Sequence, residues 1–265
     1  DEFDNLRLSG DDVFTAELTG PNPSTTPQGV SISLIEGARY EAVYTLTQSG
    51  SYQLDVLVNS VSVITTPYTI VVAQSSLSVS TSTITYVAED ADGVFEPTAG
   101  VEYSFTIVSR DENSNVRVND HDLFSVTVVS TDGFTSVPAT VVDGNNGEYT
   151  VTFTPTKAGA YGAVIEAYGQ DLSVSPVSTV VSPAAASPVD SIIVGSGLQT
   201  AVAGEVATFT VSVVDRFGNA MISVSGPNVT VAELTGPSVS PSVHVLVEAA
   251  NAQGVYTVQY VAKTA

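Results

Sequence analysis

The sequence predicts an all-β protein made of tandem antiparallel sandwiches, and three observations carry that expectation. Tyr149, Val151 and Phe153 alternate with Thr150, Thr152 and Thr154, the period of a half-buried strand. Pro155 then ends the ladder because it has no N–H to donate, and Gly159 frees a turn before Tyr161 opens a second alternating run. Finally, the phrase recurs at Tyr40 to Tyr52 and begins again at Tyr256. Val and Thr abound and helix-forming runs are missing, which favours strands.

The repetition extends beyond that phrase. Ala16-Glu17-Leu18-Thr19-Gly20-Pro21 is identical to Ala232-Glu233-Leu234-Thr235-Gly236-Pro237, and the register continues from Tyr40 to Tyr256. Asp1/Asn5, Asp111/Asn115 and Asp215/Asn219 give three copies of an Asp-x-x-x-Asn turn. Repetition at this length means an array of domains rather than a solenoid of shorter units. We read three units: residues 1–73, 74–182 and 183–265.

In the first unit, strands are expected near 13–19, 30–35, 40–46, 52–58 and 68–72. The middle unit should carry seven, near 77–88, 103–110, 123–130, 137–142, 149–154, 161–168 and 174–181. For the third they fall near 190–195, 206–214, 229–235, 243–248 and 256–261. On this count only the middle unit is complete. The first lacks its opening strands and the third its closing ones. The expectation is a stretch of a longer repetitive protein, or terminal units completed by strands from neighbouring copies. The links at 73–76 and 182–188 are short, and prolines in the second favour extended backbone, so an elongated rod is expected.

The motifs carry a family resemblance. The third unit has Gly195-Ser196-Gly197-Leu198, Ala203-Gly204, Phe209-Thr210-Val211 and Asp215-x-x-Gly218-Asn219. Asp143-Gly144-Asn145-Asn146-Gly147-Glu148-Tyr149, Ala158-Gly159-x-Tyr161 and Ser175-Pro176-Val177 stand in the middle unit. The first adds Gly50-x-Tyr52 and Thr66-Pro67-Tyr68. In this order they resemble the filamin-type (actin-binding-protein-280) immunoglobulin-like repeat. Departures are Asp4 and Ser114 at the usual turn glycine, and Leu46 where the middle unit has Pro155. The resemblance implies seven-stranded immunoglobulin-like β-sandwiches strung in tandem. It also implies, for some members, capture of an extended peptide along a strand edge, here Leu123, Phe124, Val126 and Val128.

Charge and composition narrow the partners. Asp and Glu number 28 against 7 Lys and Arg, a net charge of −21 that repels nucleic acid and anionic membrane. No apolar run approaches the roughly 18 residues that span a bilayer, so no membrane insertion is expected from this segment. Cysteine is absent, which removes disulfides, thiol nucleophiles and thiolate metal sites. The partners expected are other copies of the chain or neighbouring repeats, with glycans as a further class.

Candidate sites are few. Each Asp-x-x-x-Asn pair either holds a turn through its own backbone or offers oxygens to Ca²⁺, and the turn is the expectation. Asp90 and Asp92, in Glu89-Asp90-Ala91-Asp92-Gly93, are weak Ca²⁺ candidates that lack EF-hand spacing; otherwise no cofactor is expected. His121 and His244 lie in different units with no second His at ligand spacing. Neither a nucleophile elbow nor a phosphate-binding glycine loop is present, so no catalytic residue is assigned. Tyr52 and Tyr161 fit tyrosine corners. Asn228-Val229-Thr230 is an N-glycosylation sequon, and 24–27 and 238–242 are loops open to O-linked sugars. The functional expectation is a non-enzymatic structural or adhesive repeat protein, acidic and glycosylated, in an extracellular or cell-surface filament. The alternative is a cytoplasmic filamin-like scaffold. A third class, accessory units of a carbohydrate-processing enzyme, requires a catalytic domain elsewhere.

Overall fold

A computed structural model describes residues 12–21, 30–36, 39–63, 65–86, 97–221, 245–248 and 254–262. Regular structure among them is strand, apart from one 3-10 turn, Ser196–Leu198. No helix among the described residues is long and apolar enough to cross a membrane.

The first repeat forms β1 (Phe14–Thr19), β2 (Ser31–Glu36), β3 (Arg39–Val43), β4 (Gly50–Val58), β5 (Val61–Ser62) and β6 (Tyr68–Val72). Antiparallel β4 is the centre of one sheet, paired with β1 from Thr19↔Gln53 to Phe14↔Val58 and with β6 from Gly50↔Val72 to Leu54↔Tyr68. β2 and β3 pair separately. Leu18 and Tyr52 are buried here, whereas Leu34, Ile35 and Val43 on β2 and β3 are exposed.

The middle repeat forms β7 (Thr83–Tyr86), β8 (Tyr103–Val108), β9 (Phe124–Ser130), β10 (Ser136–Val137), β11 (Ala139–Asp143), β12 (Glu148–Phe153), β13 (Gly159–Ala167), β14 (Gln170–Asp171) and β15 (Val177–Val181). One sheet runs β10-β9-β13-β14, with β15 also on β13; the other runs β11-β12-β8-β7. Period-2 alternation puts Phe105 and Ile107 of β8, Val151 and Phe153 of β12, and Tyr161, Ala163 and Ile165 of β13 in the interior. Phe105 and Phe153 meet edge to face at 6.5 Å, a favoured aromatic geometry.

Two strands differ from expectation. The run near 137–142 is split at Pro138: β10 joins one sheet through β9, and β11 joins the other through β12. A residue without an N–H cannot continue either ladder, so the chain changes sheet there. The run near 77–88 is strand only from Thr83. Before it, Ser82 turns the backbone by donating from N and Oγ to the Ser78 carbonyl, at 3.1 and 2.8 Å. Hydroxyl side chains compete in this way with ladder hydrogen bonds. Ser191 repeats the turn on Ser187 in the third repeat.

The third repeat forms β16 (Ile192–Val194), β17 (Val206–Ser212), β18 (Val245–Glu248) and β19 (Val255–Val261), in the sheet order β16-β17-β19-β18. Ala207, Val213, Tyr256, Val258 and Tyr260 are buried. The chain divides into two compact units: 1–83 with 107–123 and 143–149, and 84–106 with 124–142 and 150–265. Each unit contains one of the two Asp-x-x-x-Asn turns described below, together with the loop that the turn touches.

Candidate functional site: the Asp-x-x-x-Asn joints

Asp111 and Asn115 build a turn whose bonds begin locally. The Asp111 carboxylate accepts from the backbone N–H of Asn113 and of Asn115, each at 2.9 Å, and from Asn115 Nδ2. The Ser114 N–H closes the loop on the Asp111 carbonyl at 2.9 Å. Asp215 does the same with Phe217, Asn219 and Gly218. This local Asx geometry is what the sequence led us to expect.

Both turns then reach well beyond themselves. Asn115 Nδ2 donates to the Thr47 carbonyl at 2.8 Å, and Asn115 Oδ1 accepts the Ser49 N–H at 2.9 Å. Asn219 Nδ2 donates to the Thr156 carbonyl, and Asn219 Oδ1 accepts the Ala158 N–H, both at 2.9 Å. The receiving segments are equivalent, each lying just before Gly50-x-Tyr52 or Gly159-x-Tyr161. The remaining carboxylate oxygen takes the link between repeats: Asp111 Oδ2 accepts Ser75 N–H at 2.9 Å, and Asp215 Oδ2 accepts Ala184 N–H at 2.8 Å.

The receiving loops are themselves held by tyrosine corners. Tyr52 donates its hydroxyl to the Gln48 carbonyl at 2.9 Å and Tyr161 to the Lys157 carbonyl at 3.0 Å. Each corner therefore fixes the residue between the two backbone groups that the asparagine reads.

Basic residues concentrate at the same places. Of the chain's seven Lys and Arg, four are here, which leaves little compensation for acid elsewhere. Arg110 Nη1 donates to the Ser114 carbonyl, and Arg117 Nη1 to the Ser75 carbonyl. Arg117 also pairs with buried Asp122 at 2.9 Å, and Asp122 accepts the Ser109 hydroxyl. In the second joint Lys157 Nζ donates to the Phe217 carbonyl at 2.9 Å, and Arg216 lies 4.6 Å from the Phe217 ring centroid. The Phe217 ring occupies the space where a side chain on Gly100 would start, 2.3 Å from an ideal Cβ.

Asp111 and Asp215 are almost wholly buried. Burial pushes both pKa values up, but the hydrogen bonds outweigh it and hold both carboxyls below their ordinary range. A group depressed on folding stabilises fully above its unfolded pKa, about 4, and that stabilisation is lost as pH falls through the folded value. The urea midpoint should therefore be flat from about pH 7 to 5 and fall below about pH 4. Asp215→Asn should flatten the acid limb, as urea titrations across that range would show.

Ser114 and Gly218 occupy the same turn position at φ +67° and +77°. Left-handed backbone carries a steric cost for an L side chain that glycine escapes. Ser114→Gly is expected to stabilise by about 0.5–1 kcal/mol, read as a raised urea midpoint.

Among the described residues, the other sequence candidates do not gather into a site. Leu123 is 72% exposed, Phe124 and Val126 are half-buried, and Val128 is buried. β13 covers one edge of β9 along its length, whereas on the other edge β10 pairs at Val128 and Val129 alone. His121 is exposed and pairs through Nδ1 with Asp143 Oδ2 at 2.7 Å. Asp1, Asn5, Asp90, Asp92, Asn228, His244 and the loops 24–27 and 238–242 lie outside the described residues. Among the described residues no three His, Cys, Asp or Glu side chains come together as a metal cluster. The joints themselves escaped the sequence reading as contacts. Their one signal was that both the Asp-x-x-x-Asn turn and the Gly-x-Tyr phrase recur along the chain.

Comparison with known proteins agrees with this architecture. Residues 79–178 match the Filamin/ABP280 repeat. Over 90 residues the chain is 34% identical to the E3 ubiquitin-protein ligase TRIM71 of Rattus norvegicus, covering 34% of this chain and 10% of that protein. The chain thus spans about a tenth of that curated relative's length. Among solved structures, the Escherichia coli adhesin FdeC aligns over 98% of this chain and 80% of its own, with TM-score 0.59 and 17% identity. Invasin, a bacterial integrin-binding protein, aligns over 96% of this chain and 47% of its own, with TM-score 0.51 and 17% identity. At that identity the likeness shows a shared fold. This chain carries, over residues 79–178, an immunoglobulin-like repeat of the Filamin/ABP280 type.

Proposed function

We propose that the chain is part of a non-enzymatic structural or adhesive protein of the cell surface, in which the repeats act as spacers. The observation that carries this reading is the recurrence of one joint, Asp111/Asn115 on 47–49 and Asp215/Asn219 on 156–158. Machinery duplicated at each repeat boundary serves the array rather than a single pocket. The net charge of −21 supports the same reading, since it keeps a repetitive β protein from self-pairing at strand edges. Two proteins that share the fold are a bacterial adhesin and an integrin-binding invasin. The test is accessibility on intact source cells. Protease or a membrane-impermeant label should reach the protein without lysis, and deleting these repeats should reduce attachment. A protein reached only after lysis would overturn the surface reading.

The short pairing of β10 with β9, at Val128 and Val129, favours a second reading, an intracellular scaffold that adds an extended peptide along β9. Titration with edge-binding peptides would then shift the amide resonances of Leu123, Phe124 and Val126. Unchanged spectra at millimolar peptide would exclude it.

A further inference from the structure

We propose that the Asp-x-x-x-Asn turn is a latch whose asparagine docks onto the corner loop of a neighbouring repeat of the same kind by reading backbone atoms alone. The inference rests on the spacer reading and deepens it by naming the surface and the partner. At the first joint the atoms read by Asn115 are the Thr47 carbonyl and the Ser49 N–H. At the second, Asn219 reads the Thr156 carbonyl and the Ala158 N–H. The linker is likewise read at its N–H, on Ser75 and on Ala184. Serine at one position is alanine at the other, and the geometry is unchanged. No side chain of the receiving loop enters these bonds.

An amide fits this task for a chemical reason. It presents one donor and one acceptor side by side, which match a C=O and an N–H two residues apart. A carboxylate at the same place has no donor and would face both the carbonyl and the buried aspartate. The carboxylate has its own requirement, because every donor around Asp111 and Asp215 is an N–H and only an acceptor satisfies them all. The pair Asp then Asn is therefore a recognition unit, with the aspartate shaping the turn and the asparagine doing the docking. The tyrosine corner is its counterpart, since it holds the loop in the conformation that is read. Because the asparagine bonds ignore side chains, repeats with different surfaces can follow one another with the same latch, and the Lys157 Nζ bond to the Phe217 carbonyl is an addition particular to the second joint.

The test uses the full chain and amide hydrogen exchange. Asn115→Ala should speed exchange at Ser49 by at least tenfold and leave Ala158 unchanged; Asn219→Ala should do the reverse. Each joint is thereby the control for the other, and the Ile165 amide reports whether the fold itself survives. Unchanged protection at Ser49 in Asn115→Ala would overturn the proposal. The receiving side is tested separately. Thr47→Ala and Ser49→Ala should leave the joint intact, and a loosened joint in either variant would overturn recognition by backbone alone. Spin labels on Thr69→Cys and Glu112→Cys, in a chain with no other cysteine, should give a narrow distance distribution that broadens with Asn115→Ala. A broad distribution in the parent chain would overturn the latch. Loose joints in a surface-exposed adhesive protein would leave the spacer reading standing, whereas tight joints in a cytosolic protein would do the opposite.

Discussion

Asp215→Ala is expected to lower the unfolding free energy by about 3–5 kcal/mol, which places it among the most damaging single changes in the chain. The Asp215 carboxylate is fully buried and receives the N–H groups of Phe217, Asn219 and Ala184 as well as Asn219 Nδ2. Removing it leaves those donors buried with no acceptor, and each orphaned group costs about 1–3 kcal/mol before relaxation or water entry. Asp215→Asn keeps the shape but brings its own donors against theirs, so an intermediate loss is expected. Urea unfolding of the three proteins at pH 7 checks the order. Equal stability of parent and alanine variant would mean that solvent replaces the carboxylate, contrary to its burial.

The second large effect lies at Tyr161. Its ring is 1% exposed and its hydroxyl donates to the Lys157 carbonyl. Tyr161→Ala should cost about 3–5 kcal/mol, because a buried aromatic ring leaves a cavity that a packed sandwich fills poorly. Tyr161→Phe removes the hydrogen bond to the Lys157 carbonyl and should cost about 1 kcal/mol. The ratio divides the corner between packing and hydrogen bonding. Exchange at Ala158 adds a second readout, because Tyr161→Phe should loosen the loop that Asn219 reads while leaving the core packed. A phenylalanine variant as unstable as the alanine variant would show that the hydroxyl, rather than the ring, sets the corner.

How legible each feature was depended on how local its cause is. Alternation of Tyr149, Val151 and Phe153 places a strand from neighbouring residues, and the strand is found at Glu148–Phe153. The corner tyrosines were legible because Tyr52 and Tyr161 bond carbonyls four residues away. Asp111 and Asp215 were read as turn residues because their first bonds close within four residues. Pro138 was visible as a proline, but not as the place where the chain changes sheet, since that depends on which strands stand on either side.

By itself, then, the sequence placed most of the described strands, their alternating faces and the tyrosine corners, because each follows from short-range backbone chemistry repeated along the chain. The tertiary structure alone decided what the asparagines do. Asn115 meets its partners 66 and 68 residues away, and Asn219 meets its own 61 and 63 away. Those partners are a carbonyl and an N–H, which every non-proline residue possesses, so no side-chain pattern in the receiving loop could announce them. Contacts written in backbone atoms become visible only when the chain has brought them together.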